Sequence, residues 1–298
     1  MRPIPVIINR EGGTAAAGGD ALTGAIEDEF RDAGLIAHVQ LLKAEDIVAA
    51  VEAQAHASLV VVGGGDGTLA AAAGALLGGH AALGILPLGT RNHLALQLGI
   101  PRDIPGAVRL LAEGHQRPID VAQVNGVTFV NNASIGFYPL LVRSREEEQR
   151  RHGLPKWLAN LKAARTALRR LRHHRLHVRI DGVDRTILTP LLFVGNNVYS
   201  LEGGHIGERH ALDEGKLSLF AVASGSRLSA LWFALRAVAG RSDLEQDFAA
   251  AEICERLTVS THAPAIHIAL DGEVRQLATP LRFQIRPQCL RVVAPAQI

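Results

Sequence analysis

Aromatic residues are scarce in this sequence. Phe, Trp and Tyr together make up 4% of the 298 residues, whereas hydrophobic residues as a whole make up 48%. The cores must therefore be built from Ala, Leu, Val and Gly, which favours close approach of backbones over the packing of large rings. A chain of this length is expected to form two domains, and its hydrophobic content is sufficient for two cores.

Cysteine and net charge are also low. The two cysteines, Cys254 and Cys289, lie far apart in the sequence. This spacing indicates neither a disulfide framework nor a thiolate zinc site, so a reducing compartment is expected. The formal net charge is only +2, which argues against a nucleic-acid partner but allows a local basic surface.

The sequence lacks a secretory signal and a convincing membrane span. The apolar run near the N-terminus is too short for a signal and is typical of a first strand and turn. Residues 67–90 carry no formal charge, but Gly78 and Gly79 interrupt them and divide them into a helix and a strand. These features predict a cytoplasmic protein.

Short apolar runs alternate with helix-like stretches through the first part of the chain. Strands are expected at 5–9, 37–41, 59–62 and 83–86, and helices at 21–33, 45–55 and 105–113. This alternation predicts a parallel sheet with helices on its faces. Further along, short β-like segments such as 186–194 are separated by polar turns. We therefore predict an α/β domain over residues 1–125 and a β-rich, sandwich-like domain over 126–298, whose last residues can return to the first domain.

Two glycine-rich turns follow two successive predicted strands. The apolar run Leu59–Val62 is followed by four glycines within five residues, and the next helix is expected to begin near Thr68. Glycines leave backbone N–H groups open to a ligand, and the N-terminus of a helix attracts phosphate. The run Leu83–Leu86 ends in the polar turn Pro87–Asn92. Because ligands bind at the carboxyl ends of parallel strands, the two turns predict a phosphate site.

Asp66 is the acidic residue within the first glycine turn. A carboxylate repels phosphate unless a divalent cation, or water ordered around one, lies between them. Asp66 therefore indicates a metal–nucleotide complex. An aspartate that closes a tight turn by binding backbone is the alternative interpretation.

The order of these motifs resembles the diacylglycerol kinase catalytic domain superfamily, which includes bacterial lipid kinases and sphingosine kinases and is related to NAD kinases. Further motifs match in order over nearly the whole chain: Pro118–Val121, Asn131–Gly136, Val194–Asn197, Leu212–Leu217 and Asp271–Glu273. The resemblance implies transfer of the γ-phosphate of Mg-ATP to a membrane lipid, with diacylglycerol as the expected acceptor and the active site in the cleft between the domains. A sphingoid base is the alternative acceptor, and a nucleotide-binding regulatory module without transfer activity is the alternative of another class.

The resemblance also implies which residues form the site. Those that would hold the nucleotide are Gly64, Gly65, Asp66, Gly67, Thr68, Leu69, Ala70, Thr90 and Asn92. Asp66 and Asp120 correspond to acidic residues that organise magnesium and its waters. Glu273 corresponds to a general base beside the acceptor hydroxyl, helped by burial, with Asp271 in the same catalytic motif. A simple turn is the alternative for Asp271–Glu273.

Two positions depart from the family pattern. His93 stands where an aspartate often follows Asn92, so one expected carboxylate of the magnesium network is missing. Glu214 replaces the usual aspartate at a second, structural Mg²⁺ site, whose other ligands would be the backbone carbonyls of Ala211 and Lys216. The longer side chain leaves metal binding at this second site open.

Two helical patterns concern membrane contact. Apolar residues recur at helical spacing from Trp157 to Leu171, and basic residues surround them as far as Arg175. Such a helix is typical of a peripheral contact with anionic lipid at the inner membrane surface. A basic helix packed on the β-rich domain is the equal alternative. The apolar pattern from Leu228 to Val238 favours a core helix. The sequence leaves the oligomeric state open, a dimer included.

Overall fold

The computed structural model describes residues 3–136, 173–200, 209, 211–222 and 248–296. The chain divides into two compact units, and each unit is built from segments that are not contiguous in the sequence. Unit 1 runs as far as Val121 and adds Val127–Asn131 and the residues from Arg286 onward. Unit 2 contains Ala122–Gly126 and the residues from Asn132 to Ile285. The boundary expected at residue 125 lies where the chain passes back and forth between the two units, between Val121 and Asn132, and it stays a prediction.

Unit 1 is built on a parallel sheet. Its first strands are β1 (Ile4–Asn9), β2 (Ala37–Leu42), β3 (Leu59–Gly64) and β4 (Ala82–Pro87), in the spatial order β2-β1-β3-β4. Val61 of β3 pairs with Val6 on one side and with Gly84 on the other. Every residue of β4 is buried, and so is β3 from Val60 onward. Strands covered on both faces need apolar residues at every position, which explains their uninterrupted apolar runs.

The helices of unit 1 are α1 (Gly13–Asp32), α2 (Ile47–Ala53), α3 (Asp66–Leu76), α4 (His93–Gln97) and α5 (Ile104–Glu113), with a 3₁₀ turn at Ala44–Asp46. α1 begins earlier than the predicted residue 21 and contains a non-helical residue, Gly19. The adjacent glycines at 18 and 19 interrupt the apolar periodicity, so the sequence pattern indicated only the part of α1 that follows them. α5 begins after Asp103, whose carboxylate accepts from the Gly106 N–H.

Strands β5 (His115–Val124) and β6 (Val127–Phe129) follow, and the chain then enters an antiparallel sheet of unit 2. The strands of this sheet include β7 (Asn132–Gly136), β10 (Leu191–Asn196), β11 (Leu217–Val222), β12 (Phe248–Cys254), β14 (Ala265–Leu270) and β15 (Glu273–Ala278), in the order β12-β11-β10-β7-β14-β15. β8 (His174–Ile180), β9 (Val183–Thr189) and β13 (Arg256–Ser260) pair in the order β13-β8-β9. The early part of the long strand β16 (Leu281–Ala294) pairs with β13.

The predicted fold class, a parallel α/β sheet followed by an antiparallel β-rich domain, is confirmed. The single strand predicted at 186–194 is wrong. The chain breaks at Pro190 into β9 and β10, which belong to different sheets. Proline has no N–H for a sheet ladder, so a strand ends there readily.

The two helical patterns considered for membrane contact or core packing, 157–171 and 228–238, lie outside the described residues. None of the helices among the described residues is long and apolar enough to span a bilayer.

Candidate functional site

Three loops of unit 1 meet where β1, β3 and β4 end. A Cβ built on Gly13 would lie 1.8 Å from the carbonyl oxygen of Leu88, and Gly13 has a φ of +52°. A Cβ built on Gly89 would lie 2.4 Å from the Cα of Gly65. The loops therefore touch backbone against backbone, a contact that only glycine allows at these positions.

The N-terminus of α3 lies at the junction of these loops. Gly65 is its N-cap residue and provides no side-chain cap. The first N–H groups of a helix have no acceptor within the helix, and its positive dipole end favours an anion. The backbone N–H groups from Asp66 to Thr68 thus supply the donors that a phosphate group requires.

Asp66 is buried, and protein N–H groups hold its carboxylate. Oδ2 accepts from the backbone N–H of His93 at 3.1 Å. Oδ1 accepts from the backbone N–H of Leu94 at 3.0 Å and from Nδ2 of Asn131 at 3.1 Å. Asp66 therefore connects the turn after β3 with the start of α4.

This hydrogen bonding limits what Asp66 can do for a metal. A carboxylate offers about four lone-pair positions, and three are taken. Mg²⁺ usually keeps several waters and takes one or two carboxylates together with phosphate oxygens. Asp66 fits a role in holding one magnesium-bound water, and that role stays a prediction.

Asn92 shapes the second glycine turn. It adopts the left-handed conformation, with φ 53° and ψ 45°. Asparagine tolerates this conformation better than most residues. Its Nδ2 donates to the carbonyls of Pro87 at 3.1 Å and Gly89 at 2.8 Å, whereas its buried Oδ1 has no hydrogen-bond partner. Thr90 is exposed on the same turn. An unsatisfied buried oxygen is unusual, and a donor on a ligand or a water can satisfy it.

The structure adds two residues that the sequence analysis did not place in the site. Asn9, at the end of β1, donates from Nδ2 to Oγ1 of Thr68 at 3.0 Å. Its signal in the sequence was a buried apolar strand followed by a polar residue and Gly12–Gly13, the same pattern as after β3. Asn131, the partner of Asp66, begins the motif Asn131–Gly136, but nothing in the sequence indicated its contact with Asp66.

Asp120, the second predicted magnesium residue, lies on β5 and is 1% exposed. Its Oδ1 accepts from the backbone N–H of Gln288 at 2.7 Å, and Gln288 has a φ of +47°. The described residues contain no group of three or more His, Cys, Asp or Glu side chains placed to hold a metal ion. The participation of Asp120 in a magnesium network stays a prediction.

Two of the residues predicted for a second Mg²⁺ site, Glu214 and Lys216, have protein partners. Oε2 of Glu214 accepts from the backbone N–H of Val198 at 2.9 Å. The carbonyl of Lys216 accepts from the N–H of Asn197 at 2.9 Å. A hydrogen bond from its side chain to Glu255 raises the pKa of Lys216. One acceptor position is therefore taken on Glu214 and one on Lys216, and a metal site formed by them with Ala211 stays a prediction.

Asp271 and Gly272 form the two-residue turn between β14 and β15. Their φ angles are +47° and +92°, as a type I′ turn requires. Oδ1 of Asp271 accepts from the Asn132 N–H at 3.0 Å, and the Asp271 N–H donates to the Asn132 carbonyl at 2.9 Å. Asp271 therefore attaches the turn to β7.

Glu273 is the first residue of β15, at the edge of its sheet. Its side chain is 57% exposed and accepts from Nη2 of Arg275 at 3.3 Å. The burial expected for Glu273 is therefore wrong, since its side chain is open to solvent in this structure. The catalytic role of Glu273 stays a prediction.

We expect Asp271→Ala to lower the free energy of unfolding by about 1–3 kcal/mol. The Asn132 N–H would lose its acceptor, and alanine is strained in the left-handed conformation. Asp271→Asn keeps an acceptor oxygen and tolerates that conformation, so its loss should be much smaller. Urea unfolding followed by circular dichroism measures both variants, and equal losses would contradict a bracing role for Asp271.

The glycine turns and the uncapped helix N-terminus have the arrangement that binds phosphate at the carboxyl ends of α/β sheets, and phosphate binding here stays a prediction. Two family models match this chain. Residues 3–124 match the model described as "Diacylglycerol kinase catalytic domain", and residues 141–294 match the "YegS C-terminal NAD kinase beta sandwich-like domain". The chain belongs to the family of YegS-like lipid kinases.

Individual relatives show the same similarity. A "Probable lipid kinase YegS-like" protein of Pseudomonas aeruginosa is 34% identical over 258 residues, which cover 85% of this chain and 82% of that protein. A protein of the same description from Klebsiella pneumoniae is 44% identical over 114 residues, 36% of this chain. The matched segments span 38% of the Klebsiella protein and 55% of an uncharacterised Synechocystis relative, less than two thirds of either.

Solved structures share the fold. A crystal structure described as a diacylglycerol kinase from Bacillus anthracis aligns with a TM-score of 0.70 at 21% identity, covering 98% of this chain and 96% of that chain. A second structure from that organism aligns with a TM-score of 0.76 at 24% identity, covering 99% and 98%.

Proposed function

We propose that this chain is an ATP-dependent lipid kinase that phosphorylates a hydroxyl of a membrane lipid, with diacylglycerol as the acceptor and phosphatidic acid as the product. The observation that carries the proposal is the backbone contact of Gly65 with Gly89 at the open N-terminus of α3. This arrangement supplies phosphate donors without side-chain obstruction. Membership of a lipid kinase family supports the choice of a lipid as the acceptor.

In this proposal the N–H groups at the start of α3 bind the phosphate chain of ATP. Bound Mg²⁺ supplies charge neutralisation on the phosphates. Asp66 ties the turn after β3 to the start of α4, and one lone-pair position of its carboxylate remains for a magnesium-bound water. The oxygen of the lipid hydroxyl attacks the γ-phosphorus, the bond from that phosphorus to the bridging oxygen of ADP breaks, and Glu273 takes the hydroxyl proton.

The test is transfer of label from γ-labelled Mg-ATP to vesicles that contain either diacylglycerol or a sphingoid base. We expect labelled phosphatidic acid from the wild-type protein. Glu273→Gln should lower kcat by about 100-fold or more, the usual effect of losing a general base, with little change in the KM for ATP. Glu113→Gln, at an exposed glutamate that ends α5, is the matched control and should retain full activity.

Each other outcome has a distinct meaning. Label on the sphingoid base alone would show that the acceptor is a sphingoid base and not diacylglycerol, and the lipid kinase activity would still hold. Nucleotide binding without label on any lipid would overturn the kinase proposal and favour a regulatory nucleotide-binding module. Full activity of Glu273→Gln would remove Glu273 from the reaction.

A further inference from the structure

We propose that Asn9 is a positioning residue, which sets the direction of the Thr68 hydroxyl so that its proton points to a phosphate oxygen of the bound nucleotide. The inference rests on the nucleotide-binding part of the proposed function, and it concerns residues of unit 1 alone.

The orientation of the Asn9 amide follows from its neighbours. Its Oδ1 accepts from the backbone N–H of Glu11 at 3.0 Å. Only the oxygen end of an amide can accept from an N–H group, so the NH₂ end must be the one that faces Thr68. The Nδ2 to Oγ1 distance is 3.0 Å, which is a normal hydrogen bond.

The hydroxyl of Thr68 therefore acts as an acceptor toward Asn9. A hydroxyl has one proton and two lone pairs. The bond from Asn9 uses a lone pair and leaves the proton to be donated elsewhere. A phosphate oxygen is an acceptor, so the hydroxyl polarity set by Asn9 is the one that a phosphate at the start of α3 requires.

One of the two lone pairs of the usual competing acceptor for this proton is already taken. A threonine in a helix often donates to the carbonyl four residues earlier, which here belongs to Gly64. That carbonyl accepts the backbone N–H of Gly89 at 3.1 Å. A Cβ position on Gly64 would lie 2.8 Å from Oγ1 of Thr68 and 2.7 Å from its Cβ, so the side chain packs directly on the Gly64 backbone and has little rotational freedom.

The test measures ATP affinity of the full chain by titration calorimetry. Thr68→Val should weaken ATP binding by about tenfold, the loss of one hydrogen bond to a charged group. Asn9→Ala should weaken it by about threefold to tenfold, because the hydroxyl is no longer held as a donor toward the phosphate. In the double variant, Asn9→Ala should add almost nothing to the loss of affinity caused by Thr68→Val, since the hydroxyl that Asn9 orients is gone.

Two further variants separate positioning from a structural effect. Thr68→Ser keeps the hydroxyl and should restore affinity to near the wild-type value. Asn9→Asp offers only acceptors, so the Thr68 hydroxyl would donate to it and turn its lone pairs toward the phosphate. Its loss of affinity should exceed that of Asn9→Ala. In the Thr68→Val background the two Asn9 substitutions should differ only by the effect of the added charge.

Unchanged ATP affinity in Asn9→Ala, or effects of Asn9→Ala and Thr68→Val that simply add, would overturn the proposal. If Asn9→Ala fails to fold by circular dichroism, the comparison of Asn9→Asp with and without Thr68→Val tests the same coupling between the two side chains. Because binding is measured directly, a lack of lipid labelling leaves this test intact. Absence of ATP binding by the wild-type protein would overturn both proposals.

Discussion

Asp66→Ala is expected to lower the free energy of unfolding by about 3–5 kcal/mol and to abolish nucleotide binding. The carboxylate accepts two backbone N–H groups at the start of α4 and the side-chain NH₂ of Asn131. Leaving one buried donor without an acceptor costs about 1–3 kcal/mol, and bonds to a charged acceptor lie at the upper end. Without these bonds the start of α4 is no longer tied to α3, and the turn that contains Gly89 keeps only its backbone bond to the Gly64 carbonyl.

Asp66→Asn is the informative companion of this variant. One amide oxygen can still accept the bonds to Oδ1 from Leu94 and Asn131, but the NH₂ group would face the His93 N–H, donor against donor. We expect an intermediate loss of stability. Urea unfolding and calorimetry with ATP measure both quantities. An Asp66→Ala protein with native stability and no phosphoryl transfer would contradict this structural role of the Asp66 hydrogen bonds. It would show that Asp66 acts on the metal or the reaction.

Gly89→Ala is expected to weaken ATP binding by about 100-fold and to lower the free energy of unfolding by about 1–3 kcal/mol. Its Cβ would lie 2.4 Å from the Cα of Gly65 and 2.6 Å from Oδ1 of Asn92. Neither neighbour is the free end of a flexible side chain, so the turn or the start of α3 must move. Overpacking of this kind costs about 1–3 kcal/mol. Losing one or two hydrogen bonds to the charged phosphates, at about 1.5–3 kcal/mol each, corresponds to about 100-fold in affinity.

The matched control is Gly24→Ala in α1. A Cβ there would have nothing within 4 Å. Replacing glycine by alanine inside a helix gains about 0.5–1 kcal/mol. The control should therefore bind ATP normally and be slightly more stable. Normal ATP affinity in Gly89→Ala would show that the contact between the two glycine turns does not shape the phosphate site.

The parallel sheet of unit 1 was predictable because both faces of β3 and β4 are covered. Such strands need apolar side chains throughout, and this requirement is visible as the runs before the two glycine turns. The apolar pattern was misleading where a glycine or a proline determines the backbone conformation. Gly19 hides the first part of α1, and Pro190 ends a strand that the apolar pattern would continue.

The candidate site was predictable only in part. Glycine turns after parallel strands indicate where a phosphate can bind, whatever the rest of the chain does. The partners of Asp66 and of Thr68 were not predictable, because Asn131 and Asn9 are 65 and 59 residues away from them in sequence. Nor was the exposure of Glu273, which depends on how the folded chain packs around the start of β15.

The sequence by itself determined the two-part architecture and the glycine turns after β3 and β4, where the phosphate site is predicted, since burial periodicity and glycine content act through local backbone conformation. Only the tertiary structure decided which groups Asp66 holds, how Asn9 faces Thr68 and where Glu273 meets solvent. Hydrogen bonds between distant segments require three-dimensional proximity, and proximity arises only once the sheet has assembled.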